Sequence, residues 1–159
     1  MIQRIQSIYL LAVTLIGIIL FWVDPIYAQF DVNTGIGQAL SFTRSYSFPD
    51  NHETANAVYS VDVLSIMLLF FITVIPFFTI FFFKKRKLQL NLSLLVFGIT
   101  LLYWAVLFVR FFAVSSQYHG QYHFGIQIIW PIALLLPTVM AYFTIKRDEA
   151  MISNMDRIR

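Results

Sequence analysis

Few residues in this chain could do chemistry, and they fall in three places. His119 and His123 stand four apart in YHGQYHFG, a spacing that lets two imidazoles share a metal on one helix face. His52 and Glu53 could reach toward them from another loop. Gly120 and Gly125 argue against a regular helix there, and two or three ligands on loops make a weak site. The plainer reading is an interfacial aromatic and histidine loop, which leaves His119 and His123 as weak metal candidates. Arg110 is the one charged residue inside a long apolar stretch. It lies near one end of that stretch, where its side chain can snorkel toward headgroups. Asp62 and Asp24 fall at similar depth on neighbouring stretches. Charges inside a membrane find partners, so Arg110 is expected to form a structural ion pair with Asp62 or Asp24. The functional alternative is an anion or headgroup site. The chain has no cysteine, which removes disulfides, thiolate metal sites and a cysteine nucleophile.

The elements that must position these groups are membrane helices. The sequence is 59% apolar and 12% charged, with 17 Phe, against about 25% charge in a soluble domain. Runs of about 20 apolar residues cross a bilayer, and four occur, at about 5–23, 61–83, 92–112 and 124–145. The length of the first run favours a retained span over a cleavable signal segment ending near Ile26-Tyr27-Ala28. Pro76 predicts a kink in the second span, and Pro131 with Pro137 a bend or local unwinding in the fourth. The fold class is an all-α membrane protein, one domain over residues 1–159.

Nine of the eleven basic residues flank these spans on one side. Arg4 precedes the first, Lys84, Lys85, Arg86 and Lys87 separate the second from the third, and Lys146, Arg147, Arg157 and Arg159 follow the fourth. Loops rich in Lys and Arg stay in the cytoplasm, which places both termini and the KKRK turn inside. Short clusters beside spans are not the broad basic face that nucleic acid requires. The expected partners are the lipid bilayer and other integral membrane subunits, with no nucleic acid and no cofactor.

Residues 24–60 form a long external loop. Phe42, Arg44, Tyr46 and Phe48 alternate with small hydroxyl residues, the period of a strand. Residues 26–32 could pair with that strand through Asn33-Thr34-Gly35-Ile36-Gly37. The expected cap is thus a small external β-hairpin between the first and second spans. The cytoplasmic tail, residues 146–159, is expected to continue the fourth helix, with Met151, Met155 and Ile158 on one apolar stripe. Ile2 and Ile5 begin a similar stripe at the other terminus. Both stripes suit the membrane surface or a docked partner.

The opening MIQRIQSIYLL, the basic turn KKRKLQLNLS and the closing KRDEAMISNMDRIR resemble the domain-of-unknown-function 4293 family. The resemblance covers essentially the whole chain. It implies a four-span protein of a bacterial inner membrane with both termini inside. It implies no activity and carries over no catalytic residue.

The mid-span polar residues are Thr14, Ser65, Thr73, Thr100 and Thr138, none of them ionisable. A transporter or channel would carry polar or ionisable groups along a midplane path, and an enzyme would group an acid or base with a nucleophile. The expectation is a non-enzymatic accessory or assembly subunit of a larger inner-membrane complex, the protein-export translocon first among them. The alternative is a small transporter or a lipid- or anion-binding protein using Arg110 and the outer loops.

Overall fold

The four apolar runs form four helices, α1 (Gln3–Val23), α2 (Val63–Phe81), α3 (Arg86–Gln117) and α4 (Ile129–Asp156). The computed structural model describes residues 3–30, 37–48, 58–82, 85–117 and 122–156. His119, His52, Glu53, Ile2 and Ile158 lie outside them, as do the side chains of Met151 and Met155 on α4. Helices satisfy their own backbone groups, which lipid cannot do. Packing runs α1 on α2, α2 on α3, α3 on α4 and α4 back on α1, a closed ring of neighbours. Leu10, Val13, Leu69, Ile72, Val96, Tyr103 and Leu134 fill its centre. Only 28–33% of the most apolar stretch of each helix is buried within the protein, so the remainder faces hydrocarbon. The chain is a multi-pass membrane protein.

Two helices outrun the bilayer. With 32 and 28 residues, α3 and α4 extend roughly 48 and 42 Å at 1.5 Å per residue, against about 30 Å of hydrocarbon. The fourth helix continues into the tail, as expected. Of its two prolines, only Pro137 is interior. Pro131 sits in the first turn, where the missing N–H has no helical partner to lose, so it does not unwind the helix. A 3₁₀ turn, Ile126–Ile128, leads into it. Helix α2 runs unbroken through Pro76.

The helix hydroxyls are turned back onto their own helices. Thr14 donates to the Leu10 carbonyl, Thr73 to Leu69, Thr79 to Ile75, Thr100 to Val96 and Thr138 to Leu134, at 2.7–3.0 Å. Each hydroxyl proton is therefore engaged within its own turn.

Between α1 and α2 the chain builds a sheet. Strands β1 (Ile26–Phe30), β2 (Gly37–Ser41), β3 (Arg44–Phe48) and β4 (Val58–Val61) are joined by β5 (Tyr122–Phe124) from the α3–α4 connection. All pairings are antiparallel, in the order β4-β3-β2-β1-β5. The expected antiparallel cap is present, and it is larger than one hairpin. Residues 26–30 pair with 37–41, and the alternating stretch forms the next strand over. Register aligns Ala28 with Leu40 and Phe124, and Leu40 with Ser45. That row carries buried Ala28 and Leu40, so this face rests on the bundle.

Helices α1 and α2 approach closely at Gly17. A Cβ built there would lie 2.4 Å from the Thr73 hydroxyl oxygen and 3.2 Å from its Cβ. Gly98 on α3 has nothing within 4 Å of the same position. Overpacking a tight contact costs about 1–3 kcal/mol. Gly17→Val is therefore expected to lower stability by about that amount in a thermal melt in detergent, and Gly98→Val to leave it unchanged.

Candidate functional site

Sequence order brings Ser41, Phe42, Thr43 and Arg44 into a two-residue loop between β2 and β3, and the fold buries it. Phe42 and Thr43 are almost fully enclosed. Neither is glycine, and neither takes positive φ. Two-residue hairpins favour turns with positive φ, because the mirror-image turns splay the strands. This loop therefore has little intrinsic turn preference, and its carbonyls point into protein, where each needs a donor.

Arg110 supplies most of those donors. Its Nη2 donates to the Arg44 carbonyl at 2.9 Å and to the Ser45 hydroxyl at 3.1 Å. Nη1 lies 3.2 Å from the Ser41 carbonyl, 3.4 Å from that of Phe42 and 3.4 Å from the Ser65 hydroxyl. Nε faces Asp62 Oδ2 at 3.2 Å. All three nitrogens are engaged with the protein itself. The Phe42 carbonyl also accepts from the Tyr103 hydroxyl at 3.4 Å, and that of Thr43 accepts from the Asp62 N–H at 2.9 Å. The fixed fork of a guanidinium suits this many-sided task, which an ammonium could not perform.

The two candidate aspartates divide the work. Asp62 stands at the start of α2, where the helix dipole favours negative charge. It pairs with Arg110 and accepts from the Ser65 hydroxyl at 2.5 Å. Asp24 does not pair with Arg110. It ends α1 with φ 41°, a left-handed conformation that Asp tolerates better than most residues, and Pro25 then blocks further helix. This turns its carboxylate onto the same loop. Oδ1 accepts from the Thr43 N–H and Oδ2 from the Ser41 hydroxyl, both at 2.8 Å, and Arg44 Nε lies 3.8 Å away. Sequence reasoning named Arg110, Asp62 and Asp24 but missed Ser41, Ser45 and the loop itself.

Beside this polar knot lies an apolar cleft of about 120 Å³. Its walls come from the sheet, from α3 and from the start of α4. Tyr27 and Phe42 stack at 5.2 Å between ring centres on the sheet side. Trp104 on α3 donates its indole N–H to the Pro131 carbonyl at 3.3 Å. The Tyr27 hydroxyl is buried without a partner among the described residues. Burial pushes its phenol up to about 12, with Arg110 opposing and Asp62 adding to the rise.

At the opposite end of the bundle the Gln6 side-chain amide donates to buried Asp148, linking α1 to α4. Ile5 is exposed beside it. His123 lies exposed on β5, in register with Gln29. Among the described residues no group of three His, Cys, Asp or Glu is placed to hold a metal.

Comparison with known proteins gives one family. Its profile, described as Domain of unknown function (DUF4293), matches residues 2–158. No curated protein matches the chain.

Two measurements test this geometry. Arg110 and Asp62 are partly buried, at 13% and 25% exposure, and losing hydrogen bonds to a charged group costs about 1.5–3 kcal/mol, so Arg110→Met should destabilise the protein by that order in detergent unfolding. Arg110→Lys should recover only part of the loss. Tyr27→Phe removes an unpaired buried hydroxyl and should leave stability unchanged or raise it. The wild type should also lose stability as pH rises from 10 toward 12, because the unfolded phenol releases its proton first, and Tyr27→Phe should diminish that loss.

Proposed function

The chain belongs to the DUF4293 family, and from the geometry above we propose that it is a non-enzymatic accessory or assembly subunit of a larger inner-membrane complex. The observation that carries this reading is the closure of its polar chemistry. Arg110 has every nitrogen bound to the protein's own carbonyls, hydroxyls and Asp62. The helix threonines named above donate within their own helices. A solute or anion would have to displace these bonds to be recognised. That speaks against a transporter or an anion site built on Arg110.

What the protein offers outward is surface. Strand β4 forms one edge of the sheet, and Val58, Tyr59 and Val61 on it are all more than half-exposed or nearly so. Among the described residues no strand pairs with the outer side of β4, and a strand edge without Lys or Pro is a template for another chain. The orientation reading draws support from charge. Lys85, Lys87, Lys146 and Arg147 are exposed at the end away from the sheet, whereas Arg44 and Arg110 at the sheet end sit in ion pairs. By the positive-inside rule the sheet is then periplasmic and both termini cytoplasmic. A subunit with a rigid cap on one face and long helices on the other suits an assembly reaching both, with protein-export machinery the leading host.

The test is a pull-down of the tagged chain from native membranes in mild detergent, read by mass spectrometry. A stoichiometric set of integral membrane partners is expected. A chain that migrates alone or only with copies of itself would overturn the accessory reading.

A further inference from the structure

The apolar cleft under the sheet is a feature that the accessory reading does not use. No polar atom faces it. Polar groups of its walls are directed elsewhere: the Trp104 N–H goes to the Pro131 carbonyl, and the Phe42 carbonyl takes Tyr103 and Arg110. Water needs two to four polar partners to occupy a cavity, so this cleft does not hold water. Left empty, its lining would lose contacts on one side outright.

The rim says what fills it. Phe108, Phe112 and Ile128 are exposed and lie on helices and turns whose outer surfaces are apolar along their length. The cleft is thus an indentation continuous with the lipid-facing surface, and the medium at that surface is acyl chain. Its volume, about 120 Å³, is close to that of the roughly 150 Å³ apolar cavity known to take benzene. That is room for a short run of methylenes and too little for a headgroup. A quinone ring would present carbonyl oxygens to a lining that exposes no polar atom, the Tyr27 hydroxyl being buried behind it.

We propose that the cleft bounded by Phe42, Trp104, Phe108, Phe112, Ile128 and Pro131 binds one acyl chain of a bilayer phospholipid, inserted between α3 and α4 beneath the sheet. The chain packs against the underside of the Tyr27–Phe42 stack. This site is separate from the Arg110 knot and stands whether or not a partner complex exists.

Trp104 provides the readout. The chain has three tryptophans, and Trp22→Phe with Trp130→Phe leaves Trp104 alone. The full-length double variant is reconstituted into phosphatidylcholine–phosphatidylglycerol vesicles with a rising mole fraction of phosphatidylcholine brominated along its acyl chains. A bound chain predicts quenching that saturates early, half-complete at a brominated fraction about tenfold below that expected of bulk lipid, a preference of about 1.4 kcal/mol. Ile128→Phe, which fills the cleft from an exposed rim position, should restore a dependence proportional to bulk lipid. Where Ile128→Phe does not fold, Phe108→Ala, which removes one wall of the cleft at an exposed position, should shift half-quenching toward the bulk-lipid dependence, and early saturation unchanged in that variant overturns the proposal. Quenching proportional to mole fraction in the starting protein overturns the proposal. Early saturation that survives a folded Ile128→Phe protein places the lipid elsewhere and overturns it too. Displacement of the brominated lipid by an isoprenoid quinone at equal mole fraction would overturn the assignment of the occupant.

Discussion

The structure depends on one buried hairpin loop. Residues Ser41, Phe42 and Thr43 are buried and Arg44 follows them at the rim, so a loop in that position is untenable unless its successive carbonyls find donors. Arg110 reaches three of them, and the Asp62 N–H reaches the other. The guanidinium comes from the third helix and the amide from the start of the second, so the sheet is fastened to the bundle through hydrogen bonds that hydrophobic packing alone would leave unmade. The charge of Arg110 in turn needs Asp62, and the geometry of Asp62 needs Ser65. Each group in the knot is satisfied only because the others are in place, the condition under which buried polar networks fix one arrangement.

Asp24 shows the same economy in backbone terms. A carboxylate at a helix C-terminus meets the unfavourable end of the dipole, and positive φ adds strain. Both are offset because that conformation swings the carboxylate onto the Thr43 N–H and the Ser41 hydroxyl. Chain termination, loop anchoring and charge neutralisation by Arg44 meet in one residue. With the helix threonines closed on their own turns, the polar groups within the helices serve the protein's own architecture, and among the described residues the helices present mainly apolar side chains outward.

Much of this was legible in the sequence, for physical reasons. Hydropathy draws the four helices because a bilayer demands about 20 apolar residues and tolerates few charges. Arg110 and the two aspartates stand out because so few charges interrupt those runs. The loop Phe42-Thr43 is invisible because it contains no Gly, Pro, Asn or Asp, the residues that mark turns by their own preferences. Its conformation is imposed from outside by Arg110, so alternation reads straight through Phe42 into Arg44. Strands β4 and β5 are short and adjoin apolar runs, and they merge with the second and fourth spans when read by hydropathy. The close approach at Gly17 leaves no mark in the sequence because its partner, Thr73, is on another helix. Pro131 was read as a break because sequence does not mark the first turn of a helix that begins inside an apolar run.

The order of strands in the sheet has a consequence for how the chain is made. Strands β1 to β4 and their loop leave the ribosome before the third helix, but Arg110 and β5 come after them. Until α3 has been inserted, the Ser41 and Phe42 carbonyls lack the donors that Arg110 and Tyr103 bring, and β1 presents an open edge where β5 will lie. The cap therefore reaches its final form only once the third helix and the strand that follows it have arrived. Domains that form as synthesis proceeds secure their early segments first, whereas here an early segment waits for a later one, and closure of the sheet reports that the third helix is in place.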